Sequence, residues 1–246
     1  MIWLYLPGVR PEVDNKRNLM VFPDTFSLNI GSRPVIKEVK MFKDRADAGK
    51  KLAEELKNLD IAADKVLAIP MGGIPVAFEV ARELGLPLDF VVVRKLPLPD
   101  NPESGLGAIS EDGSLIFNKL AEFYSKEVIE NITKKQENEI EKRIRLLKRE
   151  RKLDLTGKSV IIVDDGLATG STMEAAVKTC ENLGARIIVI AVPTASQAVI
   201  KRFEKLVERI VCLDIRKNFV AVADAYEEWH DVGEKEALDL LASLKR

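Results

Sequence analysis

Histidine occurs once in the 246 residues, at His230, so a metal centre built on several histidines is excluded and a serine–histidine–acid scheme would have to run through that single ring. Cysteine is nearly as scarce. Cys180 and Cys212 form no C-x-x-C pair, and both read as reduced core thiols. Charge of one sign is also missing: 38 basic against 39 acidic residues leave a net charge of -1, which argues against nucleic acid or an anionic membrane surface as the main partner. No apolar run is long enough to span a bilayer. The apolar stretch from Met1 to Leu6 has no basic flank and meets Pro7 too early for a secretory signal, so the expected location is cytoplasmic. Neither GxxxxGK[ST] nor GxGxxG occurs, which removes the signatures of an NTP-binding loop and of a dinucleotide fold.

What is present is alternation. Short apolar strands are expected at 66–69, 90–93, 160–163, 187–192 and 210–213, with helical patterns between them, and this order implies βαβ units in a mostly parallel sheet flanked by helices. The segment 46–59 carries apolar residues at helical spacing behind a cap at Asp44; 74–84 is a second helix, ended by Gly85 and Pro87. Residues 119–152 are dense in Lys, Arg and Glu and read as a long amphipathic helical insertion, broken near Ile132 and Thr133. Its charges suit a solvated face, with Arg143 or Arg145 as secondary candidates for anion binding. Residues 96–113 hold three prolines and three glycines and read as a long loop that acts as a lid. The first forty residues carry four prolines and no clear period. They are expected to form an N-terminal arm or small subdomain (1–40) before a main domain (41–246).

The chemistry concentrates where the strand at 160–163 runs directly into Asp164, Asp165, Gly166, Leu167, Ala168, Thr169, Gly170, Ser171 and Thr172. Ligands of open α/β sheets gather at the carboxyl ends of such strands. Two acids there can accept hydrogen bonds from sugar hydroxyls or hold Mg²⁺, and a hydroxyl-rich turn opening a helix offers free amides and a positive dipole end to a phosphate. A simple helix cap needs one polar residue; this turn has two acids, two glycines and three hydroxyls. Two further groups stand at neighbouring strand ends. In Met71, Gly72 and Gly73 a strand turns through glycines that let backbone amides approach a diphosphate, and Arg94 and Lys95 place two cations beside it. Taken alone, either would be read as an ordinary turn or as surface charge.

At these residues the chain resembles the type I phosphoribosyltransferases, whose motif for phosphoribosyl pyrophosphate (PRPP) has this form of apolar strand, two acids and Thr-Gly turn. The likeness extends from Phe42-Lys43-Asp44-Arg45 through the segments already quoted, and through Asn101-Pro102-Glu103, Gly107-Ala108 and Glu111-Asp112-Gly113, to the region of Phe219 and Tyr226. It is closest to predicted bacterial and archaeal members whose acceptor is unassigned. The resemblance implies a type I fold, PRPP and Mg²⁺ as ligands, a small-molecule acceptor, and a homodimer. It implies that Asp164 and Asp165 bind the ribose hydroxyls, directly or through Mg²⁺, that Ala168 to Thr172 cradle the 5-phosphate, and that Met71, Gly72, Gly73, Arg94 and Lys95 serve the pyrophosphate. The implied activity is transfer of ribose 5-phosphate from PRPP to a nitrogen nucleophile, expected to be a nucleobase, in nucleotide salvage. Relatives usually have a basic side chain where this chain has Met71, so the alternative is a PRPP-binding regulatory protein without turnover. Hypoxanthine-guanine enzymes place an aspartate where Ala168 stands, which weighs against a 6-oxopurine acceptor. Flat bases stack on aromatic side chains, which makes Phe219 and Tyr226 the candidate acceptor contacts; closing the core is the competing role for the same rings.

Overall fold

The computed structural model describes residues 12–14, 19–21, 41–101, 104–148 and 153–243. The chain divides into two units, 1–33 and 34–246. In the first, Glu12–Asp14 (β1) and Leu19–Val21 (β2) pair antiparallel with Val13 opposite Met20. The rest of the expected N-terminal arm lies outside the described residues.

The second unit is built on a five-stranded parallel sheet. Its strands are Lys65–Ala68 (β3), Leu88–Phe90 (β4), Ser159–Val163 (β8), Ile187–Ser196 (β9) and Arg209–Arg216 (β10), in the order β10-β9-β8-β3-β4. Along β8, Ile161 and Val163 face one core while Val160 and Ile162 face the other, the two-residue alternation of a strand covered on both sides. One face is covered by Arg45–Asn58 (α1) and Gly73–Leu84 (α2), the other by Ser171–Asn182 (α4) and Gln197–Phe203 (α5). Asp44 caps α1, its carboxylate accepting from the Asp47 amide at 2.7 Å. Gly85 closes α2 with φ +66°, a left-handed turn that a glycine takes without strain. Glu234–Ser243 (α6) rests on α2. Among the described residues no helix is long and apolar enough to cross a membrane.

Several expectations change. Residues 90–93 are not one strand: β4 ends at Phe90, and Val93–Pro97 (β5) begins a separate antiparallel sheet with Gly105–Ser110 (β6) and Leu115–Phe117 (β7). Two stretches of the expected loop at 96–113, Leu96 with Pro97 and Gly105–Ser110, are therefore strand. Gly107 marks close backbone approach, since a Cβ there would stand 1.8 Å from the Ile116 carbonyl oxygen, and Leu96, Leu106, Ala108 and Ile109 are buried. The described part of the charged insertion, 119–148, holds a short 3-10 turn, Lys119–Phe123, and then one unbroken helix, Lys126–Lys148 (α3). Ile132 and Thr133 are helical, and the insertion is not only a solvated face: Gln136, Ile140, Leu147 and Lys148 are buried. Finally, β9 runs through Pro193, beyond the expected end at 192. Past Ala191 it has left β8 and keeps β10 as its ladder partner, so a residue without an amide hydrogen is tolerated there.

Candidate functional site

Chain order puts β4 on one side of β3 and β8 on the other, so the crevice at the carboxyl ends of β3 and β8 is a topological switch point. Two turns meet in it. The Ile69 amide donates to the Val163 carbonyl at 3.0 Å, and Pro70, Met71 and Gly72 then lead into α2. The peptide bond between Pro70 and Met71 is cis. A Cβ on Gly72 would lie 2.2 Å from Asp165 Oδ2, and one on Gly73 would lie 2.9 Å from the Val163 carbonyl oxygen and 3.1 Å from Asp164 Oδ1. The two glycines thus make room for the two acids, a demand additional to the amide approach expected from the sequence. The Met71 side chain is half-buried and packs on the core.

Asp164 Oδ1 accepts from the Asp165 amide at 2.9 Å. Burial and then the neighbouring Asp165 charge push the Asp164 carboxyl well above the usual carboxylate range. Burial also raises Asp165, but Arg45 opposes it. Arg45 is the residue sequence reasoning missed as a site group. It is buried at the start of α1, its Nε and Nη2 lie 3.0 and 2.9 Å from Asp165 Oδ2, and its Nη1 donates to the His230 carbonyl at 2.7 Å. Trp229 covers the guanidinium, with the ring centroid 3.8 Å away. The only available signal was Arg45's place in the resemblance at Phe42-Lys43-Asp44-Arg45, to which no role was attached.

The phosphate turn follows the acids. Leu167 is buried and bridges to Ala195, while Ala168 and Thr169 are exposed. Gly166 is backed by Val222 and Thr194. At Gly170, φ is +78°, and a Cβ there would lie 2.5 Å from Arg202 Nη2 and 2.8 Å from the Phe203 ring. Arg202 holds the turn from α5, donating to the Thr169 carbonyl at 2.9 Å and standing 3.3 Å from Glu174. Ser171 and Thr172 open α4, whose first amides face the turn.

Arg94 and Lys95 are adjacent on β5, and a strand sends consecutive side chains to opposite faces. Arg94 turns towards α3, its Nε donating to Gln136 Oε1 at 3.1 Å; the exposed Lys95 lies along Gly105. The structure therefore does not bring the two cations together. Of the two candidate arginines on α3, Arg143 donates from Nη1 to the Pro70 carbonyl at 3.1 Å, whereas Arg145 is exposed beside Glu141. Tyr226 is only 4% exposed; its ring lies against Phe42 and Trp229, and its hydroxyl donates to the Asp165 carbonyl at 2.7 Å. Phe219 is half-buried. His230 pairs through Nε2 with Glu236 Oε2 at 3.0 Å and faces the site only through its backbone carbonyl.

Residues 36–228 match the model of the phosphoribosyl transferase domain. The Mycobacterium tuberculosis protein named "Putative phosphoribosyl transferase Rv0571c" is 39% identical over 207 residues, which span 82% of this chain and 47% of that protein. This chain thus spans about half the length of those curated relatives. The hypoxanthine/guanine phosphoribosyltransferase of Methanosarcina acetivorans is 30% identical over 184 residues, 72% of this chain and 79% of that protein. The crystal structure of TT1426 from Thermus thermophilus, 38% identical, superposes with a TM-score of 0.68 over 82% of this chain and 98% of that one. With well over half of its length matched to the domain, the chain belongs to the phosphoribosyl transferase family.

Proposed function

We propose that this protein transfers ribose 5-phosphate from PRPP to a nitrogen nucleophile, a nucleobase in the first instance, with release of pyrophosphate. The observation that carries this reading is the meeting of Asp164 and Asp165 with Gly72 and Gly73 in the β3/β8 crevice, directly before a helix-opening turn. The amides from Ala168 to Thr172 receive the 5-phosphate. Asp164 and Asp165 accept the ribose hydroxyls, and the amides of Met71, Gly72 and Gly73, with Arg94 nearby, face the diphosphate. In the transfer, the bond from the anomeric carbon to the diphosphate oxygen breaks, its electron pair leaves with pyrophosphate, a carbon–nitrogen bond forms, and the nitrogen loses its proton. Charge develops on both the ribosyl carbon and the leaving group, so positioning and fixed charge supply most of the acceleration.

The acid pair suits Mg²⁺. Two crowded carboxylates, one held by burial and repulsion above its ordinary range, are relieved by a cation. Among the described residues no group of three or more His, Cys, Asp or Glu could hold a metal, and Mg²⁺ commonly binds through one or two carboxylates plus substrate phosphates. When bound, Mg²⁺ would neutralise diphosphate charge. The burial of Tyr226 and its bond to the Asp165 carbonyl favour a positioning role for it, leaving Phe219 as the aromatic that can meet an acceptor. A cytoplasmic homodimer remains part of the proposal. The alternative, a PRPP-binding regulatory protein without turnover, is favoured by one feature, the half-buried apolar Met71 at the diphosphate turn.

The test is a panel of nucleobases and small amines incubated with PRPP and Mg²⁺, read as pyrophosphate released. Release with one acceptor class is the expected result, whereas tight PRPP binding with no release from any acceptor would favour the regulatory reading. In parallel, Asp165→Asn should lower PRPP affinity by about tenfold or more, because charge-assisted hydrogen bonds to the ligand are lost. Equal affinity for parent and variant overturns the role given to the acids.

A further inference from the structure

Helix α3 directs two polar side chains inward, Gln136 to Arg94 and Arg143 to the Pro70 turn. Gln136 and Arg143 are seven residues apart, two helical turns, on the side that also buries Ile140 and Leu147. Gln136 takes the Nε hydrogen of Arg94, and Arg143 reaches the Pro70 carbonyl, 73 positions earlier in the chain. Arg143 is thereby held at the turn that leads through Met71 into α2, with Arg94 near enough for its charge to act on it.

This grouping has a cost that its neighbours offset only in part. Neither Arg94 nor Arg143 forms an ion pair with a carboxylate among the described residues. Burial, and next the charge of Arg94, pulls Arg143 down to about 10. The carboxylates that act on Arg143 are Glu139 and Glu234; Glu139 is already bound to Lys142 at 2.6 Å. Two like charges held together while half-buried favour an anion between or beside them, and a guanidinium with one hydrogen given to a carbonyl keeps further donors for phosphate oxygens. Arg145, two residues away, shares none of this: it is exposed, with Glu141 at 3.8 Å.

We propose that Arg143 is a diphosphate-binding residue, acting with Arg94 to supply from α3 the cation that the Met71 side chain does not provide in the turn itself. The inference rests on the PRPP reading above and names which group of that ligand Arg143 holds.

Calorimetry on the full chain with Mg²⁺ tests it, using inorganic pyrophosphate, PRPP and ribose 5-phosphate as separate probes. Arg143→Gln keeps a neutral donor for the Pro70 carbonyl and removes the charge. It should weaken pyrophosphate and PRPP by about 10- to 100-fold while ribose 5-phosphate stays within about twofold. Arg143→Lys should recover part of the loss, and Arg145→Ala should bind all three probes as the parent does. Unchanged pyrophosphate affinity in Arg143→Gln overturns the inference. So does an equal loss for all three probes accompanied by a fall in melting temperature, which would make Arg143 a structural anchor of the turn. A parent protein that binds pyrophosphate through Arg143 but does not bind PRPP would remove the transferase reading and leave the diphosphate subsite standing.

Discussion

Asp165 is gripped at three points: Arg45 at its carboxylate, Tyr226 at its carbonyl, and Gly72 at the oxygen for which it leaves space. Together these fix an acidic side chain in one orientation at the mouth of the crevice, and fixed geometry is what a positioning mechanism requires. The hydroxyl of Tyr226 is well suited to this, because burial pushes its titration far upward and it remains a donor at every working pH. Tyr226→Phe should therefore cost about 1 kcal/mol of unfolding free energy, the net value of one hydrogen bond, and should lower PRPP affinity by loosening Asp165. Tyr226→Ala should cost about 3–5 kcal/mol, as other truncations of buried aromatics do. Urea unfolding and PRPP titration read the two effects. A Tyr226→Phe protein with parental stability and PRPP affinity but altered base selectivity would return this ring to the acceptor pocket. The acid pair and the glycine pair were each legible in the sequence because each is contiguous in the chain, although their meeting was not. The bonds of Arg45 and Tyr226 to Asp165 were not legible, since they span 120 and 61 positions and nothing in local spacing records such a distance.

Helix α3 and the three-stranded sheet show the same limit at the scale of elements. The helix itself was readable from its apolar period, but its inward polar residues were not, because the buried Gln136 and Lys148 and the half-buried Arg143 look like members of a charged face until the sheet is folded against them. The sheet was hidden for the opposite reason: glycine, which usually announces a loop, here sits inside a strand in close approach at Gly107, and Pro97 is the last residue of β5. An ion pair joins the two elements, in addition to the Arg94–Gln136 hydrogen bond. Lys148 Nζ lies 2.6 and 2.5 Å from the two oxygens of Glu111, at the turn after β6, and Glu111 Oε1 also accepts from the Val92 amide at 3.0 Å. The lysine side chain is 1% exposed. Replacing it by alanine leaves a carboxylate in a closed site, which typically costs about 3–5 kcal/mol, so Lys148→Ala should unfold at markedly lower denaturant. A double variant, Lys148→Met with Glu111→Gln, removes both charges and should regain most of that loss. If Lys148→Ala unfolds as the parent does, the contact is not what ties α3 to the sheet.

On the scale of the whole molecule, strand order concentrates acidity at one end of the sheet, and the fold carries that strain when no cation or ligand relieves it. The carboxyl of Asp164 titrates above its ordinary 3.8 because burial and Asp165 both disfavour its charge. Between 3.8 and the raised value the folded chain holds a proton that the unfolded chain has released. The stability this group contributes is therefore fully present at the acid end of that window and is lost as pH rises through it. Asp164→Asn keeps the shape of the side chain and cannot ionise, so it escapes the loss. The variant should be more stable than the parent near pH 8, and its advantage should shrink steadily as pH falls towards about 4, where both side chains are neutral. It should also lose PRPP affinity, so that saturating Mg²⁺ and PRPP reverse the order and leave the parent the more stable. Asp165→Asn should not share the advantage, because Arg45 would lose its carboxylate partner. Thermal unfolding of the three proteins across pH, with and without ligand, measures all of this. An advantage for Asp164→Asn that stayed the same size from acid to alkaline pH would mean that repulsion and burial at Asp164 are not its source.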